Sequence, residues 1–233
     1  MPRDMQRIAG VDGCRAGWIV VEATCDLSTA TYWIAPHWNA INTNAAIVAV
    51  DMPIGLSERG VRQCEVEARK LLSPCASRVF KTLPRAALKF AQDDWVGANQ
   101  WSKTQGFGGL SKQIWNIRPK INEIDTVVTT ETQARLWEAH PELAFARLNG
   151  GKALDSKHSA GGLAKRKRLL RQAGFTNLDK WLQALRGNGA KADDLFDACV
   201  LVLTARNILR GDARQVPEVV ERDSRGLRMS IAY

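Results

Sequence analysis

Ile8-Ala9-Gly10-Val11-Asp12-Gly13 and Ala46-Ile47-Val48-Ala49-Val50-Asp51-Met52-Pro53 are two apolar runs that each end on an aspartate. Neither alternates apolar with polar residues, so both read as central strands covered on both faces. A carboxylate at the end of such a strand is costly unless something positive meets it. If the two ends are neighbours at one edge of a sheet, one partner can serve both. A divalent metal ion, Mg²⁺ or Mn²⁺, is the simplest such partner.

Working outward, Trp18 to Glu22 and Thr31 to Ala35 read as two further strands around the polar loop 25–29. Cys14-Arg15-Ala16-Gly17 reads as a tight turn after Asp12. Three antiparallel strands therefore precede a crossover into the strand that ends at Asp51. Residues from about 57 to 130 read as a mostly helical insertion, with helices at Glu65 to Leu72, Arg85 to Gln92, Asp94 to Lys103 and Leu110 to Val128. Pro119 is expected to bend or interrupt the last of these. Ala134 to Ala139 reads as a fifth strand and Glu142 to Leu148 as a helix. Gly161-Gly162 opens a basic helix, and Leu178 to Leu185 forms another. Ala192 to Leu209 is the longest helix, with Leu195, Cys199, Val202 and Ile208 near one face. Leu227 to Ala232 is a candidate extra strand. The expected fold is one α/β domain over residues 1–233.

A chain of 233 residues with 45% hydrophobic content can bury a real core. No apolar run reaches the roughly 18 residues of a membrane span. No signal-peptide core follows Met1 to Arg7, so a cytoplasmic location is expected. The five cysteines form no CxxC pair, which argues against structural zinc and for free thiols. The formal net charge of +9 favours an anionic partner, nucleic acid above all. Lys165, Arg166, Lys167, Arg168 and Arg171 sharpen that expectation, because no acidic residue lies between Asp155 and Asp179. Such a run is either a solvated helix face or a phosphate-binding surface, in which Arg166 and Arg168 would contact a nucleic-acid backbone.

Four acidic positions fall in comparable places. Asp12 follows the first strand, Asp51 the fourth and Glu138 the fifth, while Asp194 and Asp197 share a face at the start of the long helix. Acids there also suit the helix dipole. Two-metal phosphodiester cleavage uses such a set, with carboxylates holding ions about 4 Å apart.

Five segments carry a family resemblance. They are Gly10-Val11-Asp12-Gly13-Cys14-Arg15-Ala16-Gly17-Trp18, Val50-Asp51-Met52-Pro53-Ile54-Gly55-Leu56, Gly109-Leu110-Ser111-Lys112-Gln113, Glu138-Ala139-His140-Pro141-Glu142-Leu143-Ala144-Phe145 and Asp193-Asp194-Leu195-Phe196-Asp197-Ala198. As a set they resemble the DUF429 family, described as predicted nucleases of the ribonuclease H fold. The resemblance implies an α/β, ribonuclease H-like domain. Its mixed five-stranded sheet would have three antiparallel strands, then two parallel ones, flanked by helices. It also implies Asp12, Asp51, Glu138 and Asp194 or Asp197 as the metal-binding and catalytic set. Around them, Arg15 either holds a phosphate or pairs with Asp51. Lys112 sits at a helix start that can bind an anion. His140 can move protons near neutral pH, and Lys157 and His158 lie in a polar loop within reach of substrate. The expected activity is metal-dependent cleavage of nucleic acid, DNA or RNA. The alternatives are a phosphotransferase or nucleotide-binding enzyme of the same superfold, or a nucleic-acid-binding protein without catalysis.

Overall fold

The computed structural model describes residues 3–233. They form two compact units. The first takes the chain up to Met52, Ala134–Gln215 and Ala232–Tyr233; the second takes Pro53–Gln133 and Val216–Ile231.

The first unit is built on a five-stranded sheet of β1 (Arg7–Cys14), β2 (Gly17–Thr24), β3 (Ala30–Ala35), β4 (Ile47–Val50) and β5 (Leu136–Glu138), in the order β3-β2-β1-β4-β5. β2 runs antiparallel to β1 and β3, whereas β4 is parallel to both β1 and β5. The unalternated apolar runs have the expected consequence. Every residue of β2 and β4 is buried, as is the middle of β1. β1 does not break at Asp12, as the sequence suggested. It continues to Cys14 against β2, and only its ladder with β4 stops, at Val11 opposite Val50.

Helices α4 (Pro141–Leu148), α5 (Ala160–Gln172), α6 (Leu178–Ala184) and α7 (Ala192–Arg210) complete this unit. The core joins Ile8, Ile19 and Ala49 of the sheet to Phe145 of α4 and Phe196, Cys199 and Val200 of α7. Gly10 permits this packing. A Cβ there would lie 2.1 Å from the carbonyl oxygen of Ala198 and 2.5 Å from the backbone nitrogen of Val202. The backbone of α7 therefore lies directly on β1, which only a residue without a side chain allows. Gly211, at φ 81°, ends α7 in the left-handed region.

The second unit holds α1 (Gln63–Leu71), α2 (Trp95–Thr104), α3 (Lys112–Asp125) and most of a hairpin, β6 (Gln215–Arg222) with β7 (Arg228–Ala232). Its interior contains a compensated charge. Arg62 Nε donates to Glu65 Oε1 at 2.7 Å, and the Thr82 amide donates to the same carboxylate at 3.1 Å. α3 is one helix on both sides of Pro119. Arg85–Lys89 forms a 3-10 helix rather than the longer helix expected. β6 was not expected either. It is charged and carries Pro217, and its solvent side masks a strand pattern. All five cysteines are free, and four are buried. Among the described residues, no helix is long and apolar enough to cross a membrane.

Candidate acidic centre

Where the β1–β4 ladder ends, the Asp51 amide donates to the Val11 carbonyl at 3.0 Å. One further step in that parallel register sets Asp12 beside Asp51. Side chains alternate along a strand, so both lie on the Gly10 face, the face that α7 covers. Asp197 comes from that helix. Asp12 is 7% exposed and Asp197 2%, while Asp51 is half-buried. Asp12 Oδ1 accepts the Gly13 amide at 2.8 Å.

Among the described residues, one ammonium enters this group. Lys157, from the loop between α4 and α5, places Nζ 2.6 Å from Asp197 Oδ2 and 3.6 Å from Asp193 Oδ2. The other oxygen of Asp197, Oδ1, is buried and has no hydrogen-bond partner. That is an expensive state for a carboxylate oxygen.

The electrostatics follow from burial and crowding. Burial, reinforced by Asp51 and Asp197, holds the Asp12 carboxyl well above the ordinary carboxylate range, and Lys157 only partly opposes it. Burial pushes Asp51 up to about 7 against the pull of Lys157, with Glu142 adding to the rise. Burial also pushes Asp197 up to about 7, again against Lys157, with Asp51 and Glu142 adding to the rise. Burial disfavours the charge on Lys157, but Asp197, Asp12 and Asp193 outweigh it and hold the ammonium firmly protonated. The acids therefore titrate as a set around one fixed positive charge. Glu22 of β2 provides a contrast. It is equally buried but is met by Arg7 and by the Thr43 hydroxyl, so its charge is compensated locally.

The remaining candidates divide. Asp194 Oδ2 accepts the Lys191 amide at 2.7 Å, so Asp194 caps α7 while Asp197, one turn on, reaches the sheet. Glu138 is buried, but it pairs in register with Val50, not with Asp51. Strand alternation puts its side chain on the face opposite Asp12 and Asp51, which corrects its expected place beside them. Glu142, near the start of α4, pairs with Arg166 and adds to the rise of Asp51 and Asp197. Its only sequence signal was an acid just after the fifth strand, and helix starts commonly carry such acids for their dipole. His140 is the N-cap residue of α4 and is half-buried.

Arg15 is exposed in the β1–β2 turn. It lines a cavity of about 350 Å³ with Lys191, Asp193 and Asp194. Lys112 belongs to the second unit and stands 3.6 Å from the centroid of the Trp95 ring. Lys157 was expected to reach substrate, yet it is bonded into the acids themselves.

The expectation for Arg166 is overturned. It is 0% exposed, pairs with Glu142, and donates to the Asp155 carbonyl at 2.9 Å. Consecutive helix residues turn about 100° each, so a run of four cannot all face solvent. Lys167 and Arg171 both pair with Asp179, which reduces the one-signed surface further. Arg168 remains exposed, with Lys165 half-buried.

A family model described as "Protein of unknown function (DUF429)" matches residues 10–222. The chain belongs to the DUF429 family. No curated protein and no solved structure matches it. The DUF429 match contains Asp12, Asp51, Glu142, Lys157 and Asp197 together. Among the described residues of this family member, no three His, Cys, Asp or Glu side chains form a ready-made metal cage. The Lys157 ammonium instead pairs with Asp197 and Asp193.

Proposed function

We propose that this DUF429 protein is a divalent-metal-dependent phosphodiester hydrolase acting on nucleic acid, on a ribonuclease H-like fold. The sheet order, with β1, β4 and β5 parallel and α7 lying across β1, supports that fold reading. The observation that carries the activity is the trio Asp12, Asp51 and Asp197. These are three buried or half-buried carboxylates on one sheet face, sharing one lysine, with one buried oxygen left unmatched.

The donor types are those a hard divalent ion takes, although among the described residues no three of them form a ready-made cage. All the donors are oxygens, their mutual repulsion calls for positive charge, and Asp197 Oδ1 is an acceptor without a donor. Asp12, Asp51 and Asp197 would hold Mg²⁺ or Mn²⁺. A bound ion would polarise the phosphodiester and ease ionisation of the attacking water. The chain supplies the rest. Glu142 is held by Arg166 and adds negative charge beside Asp51 and Asp197. Arg15 and Lys191 line the adjoining cavity and offer cations to a phosphate. The overall charge of +9 steers a polyanion toward the protein.

The test is cleavage of end-labelled single- and double-stranded DNA and RNA with Mn²⁺ and with EDTA, run beside an ATP hydrolysis assay. Cleavage of any of these polynucleotides that EDTA abolishes is the expected result. ATP hydrolysis alone would replace this reading with phosphotransfer, and binding without either activity would leave a binding protein.

The two basic side chains of α5 that keep solvent access, Arg168 and the half-buried Lys165, give a separate expectation. If Lys165 and Arg168 contact the backbone, changing both to Ala should lower the slope of log affinity against log salt by about one unit per lost contact. Turnover at saturating substrate should stay unchanged. Fluorescence anisotropy across a salt series measures the slope, and an identical slope would assign both residues to the solvated surface.

A further inference from the structure

Between Glu67 and Glu123 the chain carries ten basic and six aromatic residues but two acids, Asp93 and Asp94. The second unit gathers part of this stretch into one patch. The Trp101 ring, on α2, lies 5.4 Å from the ring of Phe90 and 5.7 Å from that of Phe107, and all three residues are half-buried. Two clamps fix them. Buried Arg118 donates to the carbonyls of Leu88 and Phe90 and to Gln92 Oε1, which holds the Phe90 segment. Ser102 Oγ donates to the Gly108 carbonyl at 2.7 Å, and the Leu110 amide donates to Asn99 Oδ1 at 2.8 Å. These bonds tie the loop that carries Phe107 to α2.

Lysines border the rings. Lys81 Nζ donates to the Phe107 carbonyl. Exposed Lys103 places Cε 3.5 Å from where a Cβ on Gly109 would stand. Exposed Lys112 lies over Trp95, whose indole nitrogen donates to the Leu110 carbonyl at 3.0 Å. The partners of these three ammonium groups are a carbonyl and a ring, and those of Arg118 are neutral oxygens, so none of these charges is met by a carboxylate there. Arg85 differs, because Asp125 and Asp223 pair with it. Of the two acids, Asp94 accepts the Gly97 amide as the cap of α2 and Asp93 is exposed. The patch keeps a positive balance.

We propose that this patch binds unpaired nucleic acid, with bases stacked on Phe90, Trp101 and Phe107 and phosphates met by Lys81, Lys103 and Lys112. This rests on the nucleic-acid reading above and narrows the partner to a single strand, on residues apart from the acidic centre. A ring can stack only on a base whose face is free, and in a duplex the neighbouring pairs cover both faces. Rings alternating with lysines match a strand that alternates bases with phosphates. A lipid surface would call instead for apolar side chains that protrude, whereas these rings are half-buried and packed on one another.

Fluorescence anisotropy of the full-length chain with labelled oligo(dT), oligo(rU) and a DNA duplex tests this. EDTA is present throughout, so that metal-dependent cleavage does not interfere. Sedimentation with phosphatidylserine vesicles runs beside it. The single strands should bind more tightly than the duplex. Trp101→Ala and Phe107→Leu should each weaken single-strand binding at least about fivefold. Lys103→Gln should lower the slope of log affinity against log salt by about 0.7. Circular dichroism checks each variant, and Lys103→Gln, at an exposed position, carries the test if the ring variants do not fold. Unchanged single-strand affinity in folded ring variants, or an unchanged slope in Lys103→Gln, would overturn the inference and leave the nucleic-acid reading standing. Binding to vesicles alone would overturn it in favour of a membrane surface. No binding to any of these probes would also overturn it, and the cleavage assay above then decides the nucleic-acid reading separately.

Discussion

Asp12→Asn should abolish cleavage while leaving the melting temperature unchanged or higher. Asp12 is buried beside Asp51 and Asp197, and its ionised form is opposed by burial and by both neighbours. Asparagine has nearly the same shape. Its side-chain oxygen can still accept the Gly13 amide, now made by Asp12 Oδ1 at 2.8 Å. The substitution removes a repelled charge, and Lys157 keeps Asp197 as its close partner. A gain of about 1 kcal/mol would appear as a rise of roughly 2–4 °C in a chain of this size. The metal would lose an anionic ligand, and a loss of about 4 kcal/mol in transition-state stabilisation lowers the rate about a thousandfold. Calorimetry and the cleavage assay, run on the same preparation, test both halves. A large fall in melting temperature alongside the lost activity would make Asp12 a structural residue.

The parts of this centre that lie at the ends of regular elements could be read from the sequence. Apolar runs ending at Asp12 and Asp51 located the end of β4 and the point on β1 where its ladder with β4 stops, and helical spacing located Asp197. Side-chain direction within each element decided the rest. Glu138 ends a strand as Asp51 does, but a shift of one residue in register turns it to the other face. Asp194 and Asp197 share a helix face, and only the cap bond to Lys191 separates their roles. Arg166 looked like part of a basic surface because charge in a sequence carries no angle. In three dimensions it points inward and holds Glu142, a residue that reads as an ordinary helix-start acid. Lys157 was visible only as a polar loop residue. Its place among the acids depends on how the α4–α5 loop folds back over α7, a long-range contact that no local pattern encodes.

The same crowding predicts an unusual dependence of stability on pH in the metal-free protein. Asp51 and Asp197 are pushed up to about 7, from values near 3.8 in the unfolded chain. With a folded pKa above the unfolded one, the folded protein binds protons more tightly, so these groups favour folding most fully below about pH 4. That contribution is lost as pH rises toward and through 7. Asp26 acts the other way. Its carboxyl accepts from the Thr24 and Ser28 hydroxyls and the Ser28 amide and is lowered to about 2, so its contribution is present above about pH 4 and lost on acidification. Comparing two chains isolates the acidic centre. Asp51→Asn should gain stability over the wild-type protein as pH rises from 4 to 8, reaching about 2 kcal/mol once the half-buried position and Lys157 are allowed for. Mn²⁺ binds the ionised acids, so its stabilisation of the wild-type protein should grow over the same window and be much smaller at pH 4. Urea unfolding at each pH, with and without Mn²⁺, measures both trends. A constant difference between the two chains from pH 4 to 8 would mean that Lys157 alone already balances the acids and that they hold no unmet charge for a metal to neutralise.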